Sequence, residues 1–163
     1  MPTRKADREG ASPAFKLHTR VPWVTKLRPE SRAKVVPDYR GHGTLLVPTP
    51  LLVAEEIRKV RRGHLITTAE LRERLARRFG ATSTCPFTTG IFLNIISGAA
   101  EEELAAGRRP TAPYWRVTGA GGRLNSKWPP GPERQARHLR AEGRHVGRDS
   151  ATGEWVVKEL GAL

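Results

Sequence analysis

The sequence predicts a mainly α domain with a little β structure: a helix-turn-helix core, a C-terminal β-hairpin and a basic N-terminal arm. Three observations carry this. From 48 to 143, apolar residues recur at helical spacing in segments bounded by capping residues and glycines. From 144 to 163, two short strand-like runs flank Asp149-Ser-Ala-Thr-Gly153, the pattern of a hairpin packed on the domain. From 1 to 47, prolines at 2, 13, 22, 29 and 37 prevent long helices, and ten Lys/Arg stand against four Asp/Glu.

Within the arm, the polar stretch from Met1 to Gly10 reads as disordered, and Phe15 and Leu17 are scattered apolar positions. Pro22-Trp23 is expected to dock on the domain, with Trp23 as a hydrophobic plug; stacking on a nucleobase is the other reading. Residues 32–40, with Val35 and Val36, suit one extended stretch. Thr49-Pro50 opens the first long helix, with Thr49 as cap and Val53, Ile57 and Val60 as its apolar stripe. Arg61-Arg62-Gly63 ends it, and Leu65-Ile66 is an extended link. Thr67-Thr-Ala-Glu70 has capping-box spacing, Leu71, Leu75 and Phe79 form the next stripe, and Gly80 closes that helix. After a turn from Ala81 to Thr84, a third helix runs from Pro86 through Phe87, Ile91 and Ile95 to about Ala106. These two helices are the helix-turn-helix candidate, the second being the reading helix. Glu101-Glu102-Glu103 would repel phosphate, so only the N-terminal half of that helix is expected to face DNA. Tyr114 to Val117 reads as a short aromatic strand, Gly119 to Gly122 as a tight turn, Trp128-Pro-Pro-Gly131 as a rigid aromatic turn, and Pro132 to Glu142 as a helix carrying Arg134, Arg137 and Arg140.

The chain has 163 residues and a net charge of +13, with arginine in excess over lysine. That imbalance points to a polyanionic partner, because neutralising phosphates releases counterions, and arginine makes bidentate phosphate contacts. A solvated basic surface is the bland alternative. The single cysteine, Cys85, excludes an intramolecular disulfide. No run of about 18 apolar residues exists to span a bilayer, and the first residues lack a secretory core. The expected setting is cytoplasmic and nucleoid-associated, as a monomer.

The segment Pro113-Tyr-Trp-Arg-Val117, followed by Gly122-Arg-Leu124 and a basic helix, resembles the active-site segment of the alkylguanine-DNA alkyltransferases, Pro-Cys-His-Arg-Val, a Gly-x-Leu/Val turn and a helix. Ile57 to Leu71 is similar to the same family's Val-x-x-Ile-Pro-x-Gly-x-Val-Thr-Thr-Tyr-x-x-Leu, with Val60, Gly63, Thr67 and Leu71 matching. The resemblance covers roughly 50–142 and implies a winged-helix-like DNA-binding domain. The family's two chemical residues are lost: Tyr114 stands at the methyl-accepting cysteine and Trp115 at its histidine. Thr68 stands where the family has the tyrosine that extrudes the target nucleotide. Aligned on Gly90, Phe87 replaces the arginine that fills the gap. Such a phenylalanine is either an apolar wedge between base steps or core.

The resemblance is therefore closest to the cysteine-free alkyltransferase-like proteins, which bind alkylated guanine and mark it for other repair proteins. It implies a DNA-binding, non-enzymatic lesion sensor with double-stranded DNA, alkylated duplex included, as partner. The base pocket would comprise Tyr114, Trp115, Arg116 and Trp128, with Arg116 equally readable as a structural bridge. Duplex contacts would come from Thr68, Phe87, Thr88, Thr89, Gly90, Asn94, Arg123, Lys127, Arg134 and Arg137. Tyrosine, with a pKa near 10, is a poor alkyl acceptor at neutral pH. Cys85, at a helix N-terminus, is the remaining sulfur nucleophile, and a structural role suits it better. The five histidines are dispersed without zinc spacing, no phosphate-cradling loop is present, and neither metal nor cofactor is expected. The alternatives are an enzyme on the same fold, by cryptic alkyl transfer or base excision, and a basic RNA-binding module.

Overall fold

The computed structural model describes residues 21–28 and 31–158. The expectations for Met1–Gly10, Phe15, Leu17, Pro29 and residues 159–163 lie outside that range. The order is α1 (Trp23–Lys26), β1 (Lys34–Pro37), β2 (Thr44–Val47), α2 (Pro50–Arg58), β3 (Ile66–Thr67), α3 (Thr68–Phe79), β4 (Ser83–Thr84) and α4 (Pro86–Ala105). A 3-10 turn, Tyr114–Arg116, then leads to β5 (Val117–Thr118), α5 (Pro132–Ala141), β6 (Val146–Arg148) and β7 (Trp155–Val157). Helices with small sheets is thus the architecture.

The helix starts follow local chemistry. Thr49 Oγ1 accepts from the Leu52 amide at 3.3 Å, and Thr67 Oγ1 from the Glu70 amide at 3.1 Å, so each satisfies an N–H that the first turn leaves unpaired. The apolar stripes of α2 and α3 meet in one core containing Val53, Ile57, Leu71, Leu75, Leu93 and Ile96.

That core begins upstream of the boundary expected at 47. Leu27 is 3% exposed and Leu46 fully buried. The β1–β2 hairpin pairs antiparallel, Val35 opposite Leu46, and β2 runs parallel to β4, Leu46 opposite Thr84. Segment 34–47 therefore belongs to the domain. What read as a bare turn between α3 and α4 is stitched into this sheet, and the Cys85 amide continues the ladder to the Leu46 carbonyl at 2.9 Å. Trp23 packs as the plug: a Cβ added at Gly98 would lie 2.6 Å from its ring, so α4 needs glycine at the point where α1 crosses it.

β3 and β5 pair in parallel, Ile66 opposite Val117, which fixes the signature segment beside the start of α3. The C-terminal hairpin forms as expected, Val146 opposite Val157, and is tied to the glycine-rich turn by the Leu124 amide on the Trp155 carbonyl at 2.9 Å. Among the described residues, no helix is long and apolar enough to cross a membrane.

Candidate nucleic-acid interface

The aromatic segment expected as a strand is a 3-10 turn, and only Val117–Thr118 is extended. The turn directs Tyr114 and Trp115 inward. Tyr114 is 1% exposed, and its hydroxyl donates to Glu101 Oε1 at 2.9 Å. The same oxygen lies 2.7 Å from His138 Nε2, and Arg134 reaches the other oxygen at 3.4 Å. Burial, then the Glu101 charge, pushes the Tyr114 phenol well above its ordinary value. Burial also pushes the Glu101 carboxyl up, but the His138, Tyr114 and Arg134 contacts outweigh it and hold the group below its usual range.

A second carboxylate organises the neighbouring residues. Glu142 accepts from Trp115 Nε1 at 2.9 Å, from Arg116 Nε and Nη2, the latter at 2.7 Å, and from the Gly63 amide at 3.2 Å. Arg116 Nη1 donates to the Val60 carbonyl at 2.7 Å. The Trp115 ring stacks on His138, with centroids 4.2 Å apart. Of the four residues expected to wall a base pocket, Tyr114 and Trp115 thus offer no open ring face, and Arg116 is the structural bridge. The expectation failed because a buried phenol and indole each need a polar partner, and those partners, Glu101 and Glu142, lie 13 and 27 residues away.

The acidic run has a structural role that the sequence did not reveal. Glu101 serves Tyr114 and His138, Glu102 accepts from the Val24 amide at 2.9 Å, and Glu103 accepts from both the amide and hydroxyl of Thr111 at 2.9 Å. These carboxylates brace three segments against α4.

Trp128, the fourth pocket residue, is 5% exposed and meets Tyr114 edge-on at 6.1 Å. It lines a cleft of about 550 Å³ between the 124–133 loop and the C-terminal hairpin, with Lys127, Arg148 and Trp155 also in its wall. Arg148 lies over the Trp155 ring, 5.0 Å from its centroid. Sequence reasoning missed Arg148 and Trp155, because hairpin pairing alone brings them to the loop.

The start of α4 is the opposite case. Phe87 is 77% exposed and Ile91 43% exposed, one turn apart on the same helix. Gly90 is exposed, and Thr88 and Asn94 are half-buried. Thr89, expected to touch DNA, is buried and donates its hydroxyl to the Cys85 carbonyl at 2.7 Å, so it locks the helix start instead. Thr68 is half-buried in the first turn of α3. Lys127 and Arg137 are exposed. Arg123 pairs with Glu154 at 3.4 Å, and Arg134 with Glu101, so these two are partly committed within the fold.

The β1–β2 tip, missed in the sequence, stands close to the start of α4. The Thr44 amide donates to Thr82 Oγ1 at 3.1 Å, and a Cβ at Gly43 would run into that same hydroxyl. On the tip, Tyr39 is 89% exposed, with Arg40 over its ring. Arg40 is held to Asp38 at 3.1 Å, and its charge reaches Cys85. Burial pushes the Cys85 thiol up, but the Thr88 hydroxyl and amide and the Phe87 amide outweigh it with Arg40, leaving the thiol below its usual value. The turn signal was present in Asp38-Tyr-Arg-Gly-His-Gly43, whose glycines both adopt positive φ.

No family model and no curated protein sequence matches the chain. Two solved structures are similar to it. One is S. pombe Atl1 in complex with damaged DNA containing O6-carboxymethylguanine, 20% identical, covering 65% of this chain and 84% of that one at a TM-score of 0.45. The other is S. pombe ATL in complex with DNA, 17% identical, covering 67% and 87% at a TM-score of 0.41.

Proposed function

We propose that the chain binds duplex DNA without covalent transfer, reads it with the N-terminal half of α4, and recognises alkylated guanine as a repair sensor. The observation that carries this is the unpartnered ring of Phe87, 77% exposed at the start of α4, beside a hairpin tip bearing Tyr39 at 89% exposure, on a chain of net charge +13. Water does not favour such rings, whereas parted base steps accept them. On this reading the domain is winged-helix-like and the β1–β2 hairpin serves as its wing. The cleft beside Trp128 and Trp155 receives the extruded base, and Lys127 and Arg148 neutralise phosphate near it. Extrusion costs a few kcal/mol, and stacking returns roughly 1–3 kcal/mol per base, enough to favour a weakly paired lesion.

The test is fluorescence anisotropy with plain and O6-alkylguanine duplexes across about 50 to 200 mM salt. Affinity should fall steeply with salt, Phe87→Ala should weaken both duplexes by about 1–3 kcal/mol, and Ser126→Trp, which fills the cleft, should erase the lesion preference while keeping plain-duplex binding. A flat salt response removes the nucleic-acid reading. An unchanged preference in Ser126→Trp removes the cleft.

A further inference from the structure

We propose that a second binding site, for an acidic peptide segment of a partner protein, lies in an arginine-lined cleft at the far end of α4. The cleft holds about 480 Å³. Arg58, at the end of α2, Arg62 and Arg109 converge on it, together with Arg116. Its one carboxylate, Glu142, is already consumed by Arg116. Arg62 spends one Nη2 bond on the Ala141 carbonyl at 3.0 Å. Arg58 and Arg109 take part in none of the ion pairs formed among the described residues. Three guanidinium charges thus face one concave surface with no free carboxylate among its described lining residues to balance them.

The place and lining select the partner. Leu104 borders the cleft, 17 positions after Phe87 on the same helix, so the cleft lies on the order of 25 Å along α4 from the reading end. A duplex seated on Phe87 reaches it only by running along most of α4. A single strand needs a ring to stack on, and the one ring here, Trp115, is 9% exposed and already stacked on His138. What the cleft offers is an apolar border, Leu104 at 37% exposure with Pro110 and Pro113, between planar cations. That suits an apolar side chain flanked by carboxylates. Arginine clusters read acidic motifs in this way, and each guanidinium can hold a carboxylate through two parallel bonds.

The inference does not depend on lesion recognition. The experiment titrates the full chain into fluorescein-labelled peptides of alternating Asp and Glu around a single Leu or Phe. Binding should be saturable, and lost when the acids become Asn and Gln. Arg58→Glu with Arg109→Glu should weaken it about tenfold or more. The same charge change at exposed Arg32 and Lys34 should leave it within about twofold. Duplex affinity of the Arg58/Arg109 variant should fall no further than that of the Arg32/Lys34 variant, whose charge change lies on the β1–β2 hairpin side of the domain. No binding by any peptide of the set overturns the proposal, as does equal loss in the control pair. Duplex DNA that displaces the peptide, and that the Arg58/Arg109 change weakens in proportion, would make the cleft a nucleic-acid surface instead.

Discussion

Tyr114 and Phe87 are both aromatic residues in turn-to-helix contexts, 27 residues apart, and they have opposite fates. Tyr114 is buried, bonded to Glu101 and edge-on to Trp115 and Trp128. Phe87 is open to solvent at the start of α4. The segment from Tyr114 to Arg116 spends its polar atoms holding the domain together. At the start of α4, Phe87 and Ile91 stay open to solvent, while Thr88 and Thr89 spend their hydroxyls on Cys85. A segment can therefore resemble an active site and serve as a keystone, while the surface free to act lies on another element. The comparison makes ranked predictions, since changes at the keystone should act on folding and changes at the reading end on binding.

The largest effect is expected at Glu142. Its carboxylate is 6% exposed and joins Trp115, Arg116 and the Gly63 amide. Glu142→Ala strands the Arg116 guanidinium, itself 14% exposed, and should cost about 3–5 kcal/mol in urea unfolding. The variant that remains folded should bind duplex with unchanged lesion preference. A stable variant with altered preference would move the functional site back to the signature.

Acid should act on the same struts. Glu101 and Glu142 are both held below their ordinary 4.5, burial opposing and the paired donors prevailing. The folded state therefore binds fewer protons than the unfolded chain. The stability these groups contribute is complete above about pH 4.5 and is lost as pH falls through their lowered folded values. Unfolding midpoints measured downward from about pH 5 should drop, and Glu101→Gln should flatten the slope. An unchanged slope in that variant would place the acid sensitivity elsewhere.

Tyr114→Phe should be milder. The phenol, pushed up by burial, stays protonated and is only a donor. Glu101 keeps His138 and Arg134 when it is removed. The expected cost is about 1 kcal/mol, with duplex binding unaffected. Loss of lesion preference without loss of stability would mean that the hydroxyl meets DNA.

The caps, the hairpin and most of the amphipathic stripes (Phe79, expected in the α3 stripe, is exposed at the last turn) were legible because each is local: Thr49, Thr67, Gly80 and the 149–153 turn declare their geometry within a few residues. Segment 34–47 was not, since its prolines and charges resemble a linker until β4 supplies a parallel partner some 38 residues on. Of the candidate site residues, Phe87 is exposed at the start of α4, and Trp128, only 5% exposed, lines the cleft. The inward turn of Tyr114 and Trp115 and the bridging role of Arg116 were not legible, because their partners Glu101 and Glu142 are carboxylates that sequence alone treats as surface charge. Thr89 was lost to a backbone bond within its own first turn.

The smallest expected effect on folding, and the sharpest test of the comparison, is at Cys85. Its thiol sits at the start of α4 and accepts from the Thr88 amide at 3.5 Å and hydroxyl at 3.1 Å. Cys85→Ala removes a long cap bond and should cost no more than about 1 kcal/mol. With its thiol held below the ordinary 9.0, Cys85 should react with iodoacetamide with a pH midpoint under that value, because thiolate is the nucleophile. Transfer from DNA demands more: the alkyl carbon must lie in line with the sulfur, and Thr88 and the helix start hold that sulfur against the backbone. Intact mass after incubation with O6-methylguanine duplex should therefore show no added methyl group in wild type or in Cys85→Ala. A methyl adduct present in wild type and absent in Cys85→Ala would show that acceptor chemistry has migrated from the signature turn to the reading helix, and the reading of this chain as a non-covalent sensor would fall.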